Sequence, residues 1–133
     1  AVTKESDADA QFKHVLANAR PEDNVEFTSV AGLPARGVRT PWLDKYLRTE
    51  SKLKAVAHEK RCNMAFDCLQ HCGLRDGNAE VGQFCIDKHL GHAQEGNVHK
   101  GLFFRGAGKL PFGTQIRSVT DLMQCLLSGH IPA

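Results

Sequence analysis

The sequence predicts an α/β chain, α+β when taken as an isolated piece, built mainly of helices with two or three short strands. Three observations predict it. Apolar residues recur at helical spacing from Phe12, Leu43, Val81 and Val119; Val25, Phe27 and Ser29 alternate with polar residues; and an apolar run, Val98 to Phe104, ends in a glycine-rich segment. A length of 133 residues allows one domain with its own core and excludes a complete eight-stranded α/β barrel, which takes ~250. Apolar content of 41% and charged content of 24% argue against disorder. A formal charge of +2 is too mild to point to nucleic acid or an anionic membrane, and no apolar run approaches the ~20 residues of a membrane span.

The opening AVTKESDADA lacks the basic and apolar regions of a signal peptide, which predicts a cytoplasmic protein, and its missing initiator Met suits a fragment. Five cysteines, an odd number, fit a reducing compartment better than a disulfide scaffold.

Taken in order, Ser6 or Asp7 is expected to cap a helix carrying Phe12, Val15, Leu16 and Ala19, with Pro21 ending it. Val25 to Ser29 reads as a half-buried strand, and Gly32 to Gly37 as a turn whose Arg36, like the following Arg39, either meets an anion or is solvated. Pro41 opens a helix with Leu43, Tyr46 and Leu47 on one side. The stripe resumes with Leu53, Val56 and Ala57, then Met64, Cys68 and Cys72, predicting one long helix or two short ones stopped by Gly73, with a turn at Asp76-Gly77-Asn78. Val81, Cys85, Ile86, His89, Leu90 and Ala93 form the next helical stripe, ending near Gly96, and Val98 to Phe104 the returning strand. Ser118 and Asp121 form a capping box for a last helix with Val119, Leu122, Met123 and Leu126 toward the core and Gly129 at its end.

Two clusters carry chemistry. At Arg105-Gly106-Ala107-Gly108-Lys109, two glycines can take angles closed to other residues and bring the main chain close to a bound group, while Arg105, Lys109 and Arg117 add positive charge. Such a loop either cradles an anion or merely reverses the chain before the last helix. It is not a P-loop, because Phe103 stands where the first glycine belongs and Leu110 where the hydroxyl belongs. The second cluster is Cys62, Cys68, Cys72 and Cys85, with Cys125 apart. Cys68 and Cys72, and again Cys85 and His89, are four residues apart. On packed helices they would present soft ligands to zinc or to an iron–sulfur cluster. Against this, the chain has no Cys-x-x-Cys, and free cysteine is often just a small buried hydrophobe.

The run GLFFRGAGKLPFGTQIRSVTDLMQCLLSG resembles the C-terminal end of the nitronate monooxygenases, also called 2-nitropropane dioxygenases, a family of FMN-dependent TIM-barrel enzymes. AVTKESDAD resembles the segment just after the family's Gly-Thr-Arg-Phe phosphate-binding strand, VEFTSVAGLPARGVRT its strand and Gly-Leu-Pro-x-Arg turn, and FCIDKHLGHAQEGNVHKGLFF its last helix and strand. The likeness covers nearly the whole chain in order. It implies a C-terminal segment of a flavin-binding TIM barrel: a barrel-end loop and helix over 1–22, a helical subdomain over 23–97, and the returning strand, glycine loop and last helix over 98–133. The N-terminal flavin-barrel portion would lie before Ala1.

The resemblance implies oxidation of an anionic alkyl nitronate by FMN and dioxygen, without a metal. It places Gly106, Ala107 and Gly108, with Arg105 and Lys109, beside the flavin or the substrate mouth, and lets Thr3, Lys4, Glu5 and Ser6 line a ligand. No histidine stands in the context of the family's active-site histidine, so no catalytic residue is assigned. His71, His89 and His92 read as surface or packing residues, and the chain alone is expected to be inactive. Enoyl-carrier-protein reductases and NADH:quinone reductases share the scaffold. Alternatives of other classes are a metal- or iron–sulfur-binding module using the four cysteines, and an interaction domain, such as a homo-oligomer, whose apolar helix faces dock on another subunit.

Overall fold

The computed structural model describes residues 2–63 and 68–133; Met64, expected on a helical stripe, lies outside the described residues. Helix α1 spans Ala10–Asn18, and its cap is Asp9, whose Oδ1 accepts from Gln11 N at 2.8 Å, instead of Ser6 or Asp7. An aspartate one residue before the first helical turn satisfies an otherwise orphaned donor.

Strands β1 (Asn24–Thr28) and β2 (Pro34–Val38) form an antiparallel hairpin with Phe27 opposite Ala35 and Asn24 opposite Val38. The turn expected at Gly32 to Gly37 is therefore shorter. The reversal is closed by Ser29, which exchanges two hydrogen bonds with Leu33, and by Gly32 at φ 89°, so Pro34 already begins the return strand. Thr40 caps helix α2 (Pro41–Ala55), Pro41 occupies its first turn, and Leu43 and Tyr46 are buried.

The helix expected through Cys68 and Cys72 does not form among the described residues. After α2 come a short 3-10 turn, Ala57–Glu59, and Lys60 in the left-handed region at φ 48°. Arg75 donates to the carbonyls of Leu69 and Gln70, and Cys72 N donates to Asp76 Oδ2 at 3.0 Å. These side-chain bonds compete with a helical ladder for the same backbone groups. Gly73, expected to stop a helix, instead starts the short helix α3 (Gly73–Asp76), which Gly77 ends at φ 73°.

Helix α4 (Ile86–Gln94) begins later than its apolar stripe: Gly82 to Phe84 is buried irregular chain and Cys85 is the cap residue. The strand expected over Val98 to Phe104 is replaced by a turn, because Asn97 Oδ1 accepts from both His99 N and Lys100 N. Only its end pairs with the hairpin, through Val38 N to Phe103 O (2.9 Å) and Arg105 N to Arg36 O (3.1 Å). The sheet is thus two full strands with a third partner one bridge long.

The core has two parts. Phe27, Val30, Leu43, Tyr46, Phe84 and Leu102 pack in one; Leu16, Val38, Ala93 and Phe103 in the other. Helix α5 (Val119–Ser128) joins neither. Ser118 Oγ caps it, as predicted, but it contributes no buried residue, and Val119, Met123, Leu126 and Leu127 are exposed. Its apolar period predicts the helix correctly but not a place in the core. The chain is a mixed α/β piece of the α+β kind, and none of its described helices is long and apolar enough to cross a membrane.

Leu43→Ala, at 0% exposure, should cost ~2–5 kcal/mol in urea denaturation, while Leu127→Ala, at 83% exposure, should stay within about 0.5 kcal/mol of the parent.

Candidate functional site

The glycine loop sits on the Phe103–Arg105 pairing with β2. Arg105 folds back under it: Nη1 donates to Gly106 O at 2.6 Å and Gly108 O at 2.8 Å, and Nε to Leu16 O at 3.1 Å. Asn24 Nδ2 also donates to Gly106 O, at 3.1 Å. With these carbonyls engaged, none of the N–H groups of Gly106, Ala107, Gly108 and Lys109 meets a protein acceptor among the described residues. The loop lines a cavity of about 120 Å³ together with Arg20, Asn24 and Arg105.

The charges around this cavity differ from the sequence expectation. Arg105 is a scaffold for carbonyls, and Arg20 pairs with Glu22 and Asp23, each at 3.4 Å. Arg117 does not line the cavity; it pairs with Asp121 at 3.0 Å, donates to the carbonyls of Pro132 and Ala133, and covers the Phe112 ring. Lys109 is exposed and has no ion-pair partner among the described residues. Asn24 Oδ1 is hidden from solvent and has no hydrogen-bond partner among the described residues, leaving an acceptor beside the loop. Gly106 and Gly108 do not adopt the left-handed angles they permit, and a Cβ on either would meet nothing within 4 Å.

The other cations named from the sequence are paired, Arg36 with Glu26 at 3.0 Å and Arg39 with Asp44 at 2.7 Å. Of the N-terminal residues, Thr3 bridges to Arg117, Lys4 N donates to Arg117 O, and Glu5 Oε2 accepts from Val119 N at 2.9 Å as a second cap on α5. No local pattern could reveal a cap 114 positions away in sequence. His71 is on no helix and is exposed. His89 lies on α4 with its ring 4.3 Å from that of Trp42; Nδ1 donates to Lys100 O at 2.7 Å, and burial pulls its pKa below the ordinary imidazole value despite that bond.

Cys62, Cys68, Cys72 and Cys85 converge as the sequence clustering suggested, though on loops and a helix cap instead of paired helix faces. All four line one small cavity of about 20 Å³ with Leu69, Leu74, Arg75, Ile86 and Asp87, and all are free thiols. Among the described residues no three His, Cys, Asp or Glu side chains are placed to hold a single metal ion. Arg75 and Asp76 clamp the loop. The Asp76 carboxyl is lowered to about 2, first by its bond from Arg75 and then by the Cys72 N–H.

No family model, no curated protein and no solved structure matches the chain.

Because the folded Asp76 value lies below that of an unfolded carboxyl, ~3.9, its contribution to stability is present above that value and is lost as pH falls toward about 2. Carboxyl-carbon NMR titration should find its midpoint at about 2, returning toward ~3.9 in Arg75→Ala.

Proposed function

We propose that this chain is the C-terminal part of an FMN-dependent nitronate monooxygenase, and that the loop Arg105–Lys109 receives the anionic phosphate of the flavin or the anionic substrate. The observation that carries this reading is the exposed loop Gly106–Lys109, which lines a cavity and whose four N–H groups have no protein acceptor among the described residues. Backbone donors and an unpaired ammonium suit an anion without costly reorganisation.

The donor set fits one end of FMN. A cavity of about 120 Å³ is well below the ~300–1,000 Å³ of a pocket for a whole small molecule, so it suits a phosphate or ribityl segment and not the three-ring system. Asn24 Oδ1, beside the loop, is an acceptor for a ribityl hydroxyl. When bound, FMN supplies the electron transfer between nitronate and dioxygen. The chain's own contribution is binding and placement: Arg105 holds the loop shape, the glycines leave its surface clear of side chains, and Lys109 offsets negative charge. No residue of this chain is assigned as a proton acceptor, so catalysis requires the flavin-barrel portion. The exposed apolar side of α5 supports the same reading, since an element of a larger barrel enzyme has a neighbour to cover it.

In the complete flavoenzyme, alkyl nitronate should drive dioxygen consumption. Oxidation of NADH with no response to nitronate would instead assign the quinone- or enoyl-reductase relatives. Gly108→Ala should leave folding stability unchanged or raise it by up to ~1 kcal/mol. Together with Lys109→Ala, it should weaken FMN or nitronate binding by about tenfold or more, equivalent to ~1.4 kcal/mol. Unchanged flavin content and KM in both variants would remove the loop from the site.

A further inference from the structure

We propose that the cavity shared by Cys62, Cys68, Cys72 and Cys85 is a site for a four-iron, four-sulfide cluster ligated by those thiolates. The inference stands apart from the flavin reading and uses none of its residues. Four free thiols from three separate stretches, Cys62, the Cys68–Cys72 loop and the cap of α4, meet at one cavity. Of the four, only Cys72 packs against a core cluster. Here Cys68 is exposed and the other three are half-buried around a common space.

Charge identifies the kind of guest. Four thiolates give a cluster a net negative charge, and the cavity wall supplies the complement. The Arg75 guanidinium lines it while paired with Asp76 at 2.8 Å, and Cys85 is the cap residue of α4, so the first-turn donors and positive dipole end of that helix lie at the same wall, beside the single carboxylate of the lining, Asp87. Cys85 provides no side-chain cap of its own. Leu69, Leu74 and Ile86 supply the apolar screening that governs solvent access to such a group.

Geometry separates a cluster from a single ion. Zinc with bonds of ~2.3 Å needs its four sulfurs roughly 3.8 Å apart at one point. No three ligating side chains among the described residues are so placed. A cubane takes one thiolate at each iron corner and spreads the sulfurs further. The cavity of about 20 Å³ is smaller than such a core, so the Cys68–Cys72 loop has to move outward as the cluster enters, in keeping with metal sites that assemble only with the metal. Loading is a ligand exchange. Two ferrous ions, two ferric ions and four sulfides form the core, each thiol releases its proton to solvent as its sulfur bonds iron, and no electron is transferred.

The test uses this chain, reduced and held under anaerobic conditions, with equal ferrous and ferric iron and matching sulfide, followed by gel filtration. The expected result is about four iron and four acid-labile sulfide per chain, with the broad visible sulfur-to-iron absorption and sulfur-only coordination at the iron X-ray edge. Cys72→Ala and Cys85→Ser should each lower retained cluster by about fivefold or more, while Cys125→Ala, on α5 and outside the cavity, should match the parent. Far-ultraviolet dichroism reports folding of each variant, and the coordination of the parent decides the matter if both cavity variants unfold. Less than about one iron per chain, or equal retention in the folded cavity variants, would overturn the proposal. The chain contains no flavin in this experiment, so its outcome leaves the oxidase reading untouched.

Discussion

The main chain from Gly101 to Arg105 is the segment on which both parts of the core depend. Successive side chains of an extended chain point to opposite sides, so Leu102 enters the cluster around Leu43 while Phe103 enters the one around Val38. Burying two such side chains contributes about 1.5–3 kcal/mol each. The backbone is fixed as closely. Leu102 N donates to His89 O, Thr40 Oγ1 to Gly101 O, Val38 N to Phe103 O and Arg105 N to Arg36 O, tying α4, the head of α2 and the hairpin to one strip. Gly101 is required at its root, because a Cβ there would lie 2.6 Å from Asn97 O and 2.7 Å from the Phe103 ring. Whatever the glycine loop does, it does from a rigid base.

Two loops beyond this frame keep their shape without regular secondary structure, and each does so through an arginine. Arg105 collects the carbonyls of Leu16, Gly106 and Gly108; Arg75 collects those of Leu69 and Gln70. A planar guanidinium with five donors can satisfy several carbonyls from different directions at once. The consequence is functional. In one loop the carbonyls turn to a cation while the N–H groups of the exposed residues Gly106 to Lys109 have no protein acceptor among the described residues, and in the other the thiols lie beside the Arg75–Asp76 pair. Both arginines spend their donors on loop carbonyls, and Arg105 does so from the wall of the cavity that the glycine loop lines.

The hydrophobic period makes α1, α2 and α5 legible, and the alternation at Val25 and Phe27 locates the first strand, because those signals are local. The elements that depart from expectation are decided by side chains bonding to backbone. Cys68 and Cys72 have helical spacing, yet Arg75 and Asp76 take the backbone groups a helix would need there. Val98 to Lys100 has the composition of a strand and is bent by the Asn97 carboxamide. The cysteine grouping is visible as a clustering of residue type, while its route to one cavity, through a helix cap and a clamped loop, is not. Composition locates the glycine loop but not the bonds of the nearby cations: Arg105 donates to the carbonyls of Leu16, Gly106 and Gly108, Arg117 pairs with Asp121 away from the cavity, and Lys109 has no ion-pair partner among the described residues.

Helix α5 shows how far a periodic pattern can inform and where it stops. Its apolar stripe, its Ser118 cap and its terminal Gly129 all form as the sequence requires, Glu5 adds a long-range bond at its N-terminal end, and Arg117 adds a local pair with Asp121. An amphipathic helix gains most of its stability in proteins from burying its apolar face, not from propensity. Here that face is turned to solvent, so the described residues hold the helix chiefly by its termini. Covering Val119, Met123, Leu126 and Leu127 would contribute about 1.5–3 kcal/mol for each side chain fully buried, which is comparable to the whole stability of a small domain. A face of that worth sets α5 apart from α1, α2 and α4, which bury side chains in the two cores, and leaves the Ser118 cap, the Glu5 bond and Gly129 as the features that fix its ends.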